Sequence, residues 1–405
     1  MHDPQPWQRT GPGKAKDGKP KFNLGVFNDA YFTRLRERVM AAGEEGIYVD
    51  VMLFDGWALH LSPSPDHVEG HPFHERNNVN GVSIKSIVDY QVLPLDPRVQ
   101  TFQEKYIHKV LDTLHDLPNV LWEVANESSG DGTVDQSFAQ MLGFSEVPVW
   151  GDSTEWQYWV IDAVKHYEQE QGYNPHPTGM TMQFPVADHA RVNDPLFKSN
   201  AEWISPGYDD EIFAQGGHPM APGSPPSRWL ASPPPNNGRK VVINDTDHYA
   251  SAADALWAWK SFLRGHHPIL MDYGIIAGVN PPDPSAGSPG VPPYDAYEGA
   301  RHAMGDTLRY AQKVDLLHME PRPELSSTGF VLANPGEEYL ILQPDNTADP
   351  FTVKLDRGTY TVEWFSINRR ETKVGGKVSV DSVGESKFMS PFDDSPAILH
   401  VKRSG

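Results

Sequence analysis

Asn119-Val120-Leu121-Trp122-Glu123-Val124-Ala125-Asn126-Glu127 is an apolar run that stops on an amide and an acid. Its length and its aliphatic and aromatic content predict a buried strand, here Asn119 to Val124, ending in Ala125-Asn126-Glu127. A helical stretch precedes it, Thr101 to Leu117, with Phe102, Ile107, Val110, Leu111 and Leu114 on one face. Further upstream, Phe27 to Gly46 reads as a helix and Ile47 to Phe54 as another buried strand. Downstream, helical patterns at Trp156 to Gln171, Ala252 to Leu263 and Ala296 to Leu317 alternate with apolar runs at Thr178 to Phe184, Trp203 to Ser205, Val241 to Ile243 and Pro268 to Met271. That is six strands before residue 275, separated by helices. Such alternation implies parallel strands with right-handed crossovers, and polar residues recur at the strand ends: Asp55, Glu127, Gln183, Asp245 and Asp272. The C-terminal rim of a (β/α)8 barrel gathers chemistry in that way. A doubly wound sheet would too, but no strand is followed by a glycine-rich phosphate loop.

After Leu317 the pattern changes to short strands between turns, at Gly329 to Ala333, Tyr339 to Gln343, Phe351 to Leu355, Gly358 to Phe365, Lys377 to Val383 and Ala397 to Val401. The expected organisation is therefore a barrel over residues 1–320 and an antiparallel β-sandwich over 321–405. Two loops rich in proline and glycine, Gly216 to Gly238 and Asn280 to Pro293, fit either a substrate cleft or plain surface insertions.

The composition narrows the function. A formal net charge of −20 leaves no basic face for phosphates, so nucleic acid is not an expected partner. No apolar run is long enough to span a bilayer, so no membrane is expected either. The absence of cysteine removes disulfides, thiolate metal sites and cysteine nucleophiles. Met1 to Pro20 is polar and proline-rich, unlike a signal peptide. Aromatic residues reach 11 %, and several stand beside polar residues in expected loops. Such rings stack on sugars, although ordinary core packing also uses them.

Two carboxyl groups at separate strand ends are what glycosidic bond cleavage requires, one protonated and one ionised. Glu127 is the expected acid. Strand parity groups it with Glu123 and sets Asn126 apart, unless the strand end breaks the alternation. Asp245, which follows Val241 to Asn244, is the expected second carboxylate, preferred to Asp247 because it is nearer the rigid strand. Asp247 and Ser251 also suit a helix N-cap. Trp57, Asn126, His71, Gln183, Tyr208, Asp247, His248 and Asp272 are expected to bind substrate. Asp272 equally suits an ion pair. His71, His74 and Glu75 fall in an irregular loop without zincin spacing, so neither metal nor cofactor is expected.

The strand Leu121 to Glu127 resembles the fourth-strand acid/base motif of clan A glycoside hydrolases. Asn244-Asp245-Thr246-Asp247-His248, the run Trp257 to Gly265, and Arg9-Thr10-Gly11-Pro12-Gly13-Lys14 resemble the apiosidase-like branch of that clan. Residues 325–403 resemble the β-sandwich, named for collagen binding, that often ends members of the branch. The resemblance implies Glu127 as general acid/base and Asp245 in the seventh-strand place where the clan usually has a glutamate nucleophile. It implies an oligosaccharide or polysaccharide substrate, and many relatives are exported. It also makes Ile47 to Phe54 the third strand, so strands one and two would lie before Met1. A barrel shortened in that way has open edges, which a second copy of the chain would close. A sugar-binding protein without catalysis, or a matrix-binding protein acting through the sandwich, are the other readings.

Overall fold

The computed structural model describes residues 4–60, 67–141, 143–209, 227–249, 254–272 and 294–404. The loop Asn280 to Pro293, residues 216–226 of the loop Gly216 to Gly238, and Ser251 lie outside the described residues. The chain divides into two compact units, Met1–Ala214 and Gln215–Gly405.

The first unit opens with an antiparallel hairpin of β1 (Trp7–Lys14) and β2 (Pro20–Phe27). No strand is expected there from sequence, since the stretch is polar, rich in proline and without alternation. A side-chain scaffold supplies what alternation does not: Arg9 pairs with Asp17 at 2.7 Å, and its guanidinium lies 4.0 Å from the centre of the Phe22 ring. Helix α1 (Asp29–Glu44) follows, then β3 (Val49–Asp55) and a single helical turn, α2 (Trp57–His60).

Helix α3 (Pro97–Leu114) begins earlier than its apolar spacing suggests. Asp96 caps it by accepting the Arg98 N–H at 2.8 Å, and Pro97 supplies a first-turn residue that needs no N–H partner. Its buried seam of Val99, Ile107, Val110, Leu111 and Leu114 leads into β4 (Val120–Asn126), which is followed by β5 (Ser128–Ser129). Helix α4 (Thr154–Gln171) ends at Gly172 in the left-handed conformation, and β6 (Thr178–Thr181), β7 (Gln183–Phe184) and β8 (Trp203–Ser205) complete the unit.

Strands β3, β4, β6 and β8 form a parallel ladder in that order, with Asp55 opposite Asn126 and Gly179 opposite Trp203. A Cβ on Gly179 would lie 1.8 Å from the Trp203 ring, so only glycine lets these strands approach. Glu168 ties α4 to the opposite ends of the strands. Its Oε1 accepts the Trp122 indole N–H at 2.9 Å and faces His176 Nδ1 at 3.2 Å.

In the second unit β9 (Val241–Asp245) and β10 (His266–Ile269) pair in parallel, joined through α5 (Ala255–Leu263). Strand β10 starts two residues before the expected Pro268, which the strand accommodates. Four parallel strands in one unit and two in the other, connected through helices, give the α/β architecture of TIM-like type that the sequence implies.

Helix α6 (Glu298–Lys313) precedes the sandwich. Its strands are β11 (Glu320–Pro321), β12 (Val331–Asn334), β13 (Glu338–Gln343), β14 (Phe351–Leu355), β15 (Gly358–Ser366), β16 (Glu371–Val380), β17 (Gly384–Phe388) and β18 (Ala397–Arg403). A six-stranded antiparallel sheet, ordered β11-β12-β13-β18-β15-β16, faces the pair β14-β17. Strand β16 begins six residues before the expected Lys377, because Gly375 and Gly376 do not end it. They form a bulge, Gly376 has φ +82°, and a Cβ on Gly375 would press to 2.6 Å from Val362.

The other face of the large sheet carries α5 and α6. Trp259 and Tyr310 pack on Phe365 at 5.9 and 5.7 Å between ring centres, and Arg370 grips the buried Asp306 through two bonds of 2.9 and 3.1 Å. Trp364, on the inner face beside Phe351, is 4 % exposed. Trp364→Ala is expected to cost about 3–5 kcal/mol in denaturant unfolding, whereas truncating the exposed Val374 to alanine should change stability by less than about 0.5 kcal/mol.

Candidate active site

Glu127 comes directly after β4 with φ +43°, a left-handed backbone that costs a residue with a Cβ roughly 1–3 kcal/mol. The turn after β3 holds it there. Gly56 N–H donates to the Asn126 carbonyl at 2.7 Å, and His60 Nε2 donates to the Glu127 carbonyl at 2.8 Å. His60 Nδ1 in turn accepts the indole N–H of Trp150 at 2.5 Å. With Nδ1 occupied as an acceptor, the imidazole is neutral and carries its proton on Nε2. Burial pushes its pKa down to about 4, which secures that form at neutral pH. Gly56 permits the approach, since a Cβ there would stand 2.2 Å from the Glu127 carbonyl oxygen.

The left-handed residue sets Glu127 apart from Glu123, with which strand parity groups it. Glu123 is buried within the strand layer and accepts the Thr181 hydroxyl at 3.1 Å. Glu127 lies past the ladder, with one carboxylate oxygen enclosed by protein. The chain then re-forms a strand, β5, against β7.

Asn126 donates its side-chain amide to Asp55 Oδ1 at 3.3 Å. Asp55 ends the neighbouring strand, and burial raises its pKa, while hydrogen bonds from Asn126 and from the backbone of Ala58 and Trp57 pull it back. Asp55 lies in a cleft of about 630 Å³ together with Trp7, Tyr31, Trp57, His71 and Tyr90. Two of the expected substrate-binding residues, Trp57 and His71, thus meet in one cleft beside the strand that carries Glu127. His71 Nδ1 accepts the Phe73 N–H at 3.2 Å, and the ring sits 4.7 Å from that of Tyr90. Burial pushes its pKa down to about 3. His74 Nδ1 likewise accepts a backbone N–H, from Arg76.

Gln183 spends its amide on Asp152, Ser153 and Thr154 at 2.9–3.1 Å, at the start of α4. Tyr208 is buried beside His189. In the second unit, Asp245 ends β9 and its Oδ1 accepts the Asp247 N–H at 3.0 Å. Burial, helped by the Asp247 charge, raises its pKa on balance against His248 and the Asp247 N–H, which pull it down. Asn244 holds the Trp229 carbonyl at 3.0 Å and the Ser261 hydroxyl at 2.8 Å, which fixes the strand end against α5. His248 is buried. Asp272 is held by Arg301 through two bonds of 2.5 and 2.9 Å, and that guanidinium also lies 3.6 Å from the centre of the Tyr294 ring.

Asp55 and His60 are the residues that sequence reasoning passes over as site members. Asp55 has a signal, as an acid at the end of a predicted strand. His60 has none, because its role depends on a backbone carbonyl distant in sequence.

No family model and no curated protein matches the chain. Among solved structures similar to it, one described as a glycoside hydrolase has 11 % identity and a TM-score of 0.48, over 96 % of this chain and 94 % of that one. A glycoside hydrolase family 5 protein from Bacteroides vulgatus has 12 % identity and a TM-score of 0.49, over 96 % and 92 %. A monomeric beta-xylosidase from Caulobacter crescentus has 11 % identity and a TM-score of 0.39, over 97 % and 87 %.

The His60 environment predicts an acid limb in stability. Its folded pKa of about 4 lies below its ordinary 6.5, so the unfolded chain binds the proton first. The contribution is complete above pH 6.5 and is lost as pH falls towards 4, on the order of 3 kcal/mol in all. Thermal melts across that range should show the loss, and His60→Gln should flatten it.

Proposed function

We propose that this chain is a glycoside hydrolase that cleaves glycosidic bonds in a plant or microbial glycan. The observation that carries the reading is Glu127: an acid placed past the end of a buried parallel strand, on a left-handed backbone fixed by the Gly56 and His60 hydrogen bonds, beside an aromatic cleft. Such fixing holds a proton donor where the leaving-group oxygen must be met, without reorganisation during the reaction.

In this reading Glu127 is the general acid/base and Asp245 the nucleophile. Burial and the neighbouring Asp247 charge raise the Asp245 pKa on balance, while His248 and the Asp247 N–H are the two influences that favour the ionised form the role requires. Protonation of the leaving oxygen by Glu127 accompanies attack by the carboxylate, and Glu127 then takes a proton from the water that releases the sugar. Retention at the anomeric carbon follows from such a double displacement. Trp57, Asn126, His71 and Asp247 are assigned to substrate. Gln183, Tyr208, His248 and Asp272 would act indirectly, since Gln183 and Asp272 already hold protein partners and Tyr208 and His248 are buried. The sequence resemblance supports placement in the apiosidase-like branch, with residues 1–320 as the catalytic part and 321–405 as an accessory sandwich.

The test is hydrolysis of a panel of aryl glycosides and plant polysaccharides. Glu127→Gln should lower kcat on natural linkages by about 10²–10⁴-fold, with binding intact, and Asp245→Asn should be similarly damaging. Proton NMR of the first product formed should show the retained anomer. A variant Glu127→Gln with unaltered turnover would refute the assignment, and an inverted first product would remove Asp245 as nucleophile.

A further inference from the structure

The cleft beside β3 has a chemistry that the hydrolase reading does not specify. Its volume of about 630 Å³ falls among small-molecule sites, and its walls include the rings of Trp7, Tyr31, Trp57, Tyr90 and Tyr106. These rings are backed by others: Trp7 packs on Phe73 at 5.2 Å and Tyr106 at 5.7 Å, and Tyr90 on Phe54 at 5.9 Å. Trp57 is the exposed member of the set, at 43 %. Two polar side chains stand among them. Asp55 is oriented by Asn126 and by the backbone of Ala58 and Trp57. His71 has Nδ1 engaged by the Phe73 N–H, which leaves the ring proton on Nε2.

The charge in the lining is one-sided. Among the described residues it includes the carboxyl group of Asp55 and neither lysine nor arginine. A sugar acid bound here would set its carboxylate near Asp55 without a counter-charge, in a protein of net charge −20. An uncharged sugar would stack its apolar face on a ring and offer hydroxyls to an acceptor, Asp55, and a donor, His71.

From this juxtaposition we propose that the cleft formed by Trp57, Asp55, His71 and Tyr90 is a binding site for uncharged sugar units and selects against uronic acids. It rests on the carbohydrate reading of the neighbouring Glu127 site and names the substrate class for it. Trp57 provides the stacking surface, and Asp55 acts twice, as hydroxyl acceptor and as the charge that repels acidic sugars.

The test uses the full chain carrying Glu127→Gln, so that binding is read without turnover. Xylohexaose, cellohexaose and arabinohexaose are titrated calorimetrically against hexagalacturonate. At least one neutral oligosaccharide should bind about tenfold or more tightly than hexagalacturonate, and Trp57→Ala should weaken it by about tenfold. Asp55→Asn should improve hexagalacturonate binding, and added salt should shrink its disadvantage. Hexagalacturonate binding as tightly as the best neutral ligand overturns the proposal. So does neutral binding that Trp57→Ala leaves unchanged, or the failure of all three neutral ligands to bind. The two readings fail separately. If the parent protein hydrolyses none of these glycans while the Glu127→Gln form binds one through Trp57, the cleft stands and the hydrolase assignment falls. If turnover depends on Glu127 but not on Trp57, the hydrolase assignment stands and the cleft proposal falls.

Discussion

Two hydrogen bonds from the turn after β3 to the end of β4 set the geometry of the first unit's rim. Gly56 N–H reaches the Asn126 carbonyl and His60 Nε2 reaches that of Glu127. Both acceptors are backbone oxygens, that of Asn126 at the last rung of the parallel ladder and that of Glu127 just past it. The bond from His60 is directional, because Trp150 fixes which ring nitrogen carries the proton. The cleft depends on the same turn, since Trp57, Ala58 and Leu59 line it and belong to the helical turn that His60 closes. Glu127 and the cleft are therefore held by one short segment, residues 55–60, and neither is positioned without the other.

The second unit follows a different principle. The sandwich sheet is covered on both faces, by β14 and β17 on one and by α5 and α6 on the other. The helix side combines ring packing around Phe365 with polar ties at its edges. Tyr310 donates to Glu363 at 3.2 Å, Lys313 pairs with the same carboxylate, and Arg370 encloses Asp306. Removal of Arg370 would leave the buried Asp306 carboxylate with the longer Arg309 contact at 3.3 Å, a costlier loss than that of a surface pair.

Much of the fold is legible in the sequence because hydrophobic period decides it. The helix over residues 29–44, the strand over 120–126 and the strand over 351–355 fall where their apolar spacing puts them. The failures have local causes. The hairpin of β1 and β2 lacks alternation and is held by Arg9, Asp17 and Phe22, a combination with no periodic trace. The double glycine at 375–376 reads as a break, yet cross-strand pairing carries it as a bulge. At the candidate site the acids at strand ends can be seen, since type and position suffice for them. The bonds that give them character cannot. Asn126 addresses Asp55, and His60, outside any strand, is the group that fixes the backbone of Glu127.

The grip of Arg370 on Asp306 has a bearing on how this chain can be rearranged. The boundary at residue 320 is a convenient place to cut in the sequence, but Asp306 and Tyr310 lie upstream of it and complete the outer layer of the sheet downstream. A chimera that borrows the sandwich from another protein would inherit an arginine without its acid and a phenylalanine, Phe365, without its cover. The natural unit of exchange is the sandwich together with the helix Glu298–Lys313. Substitutions at the two ends of that helix–sheet seam are accordingly expected to have been inherited as a set.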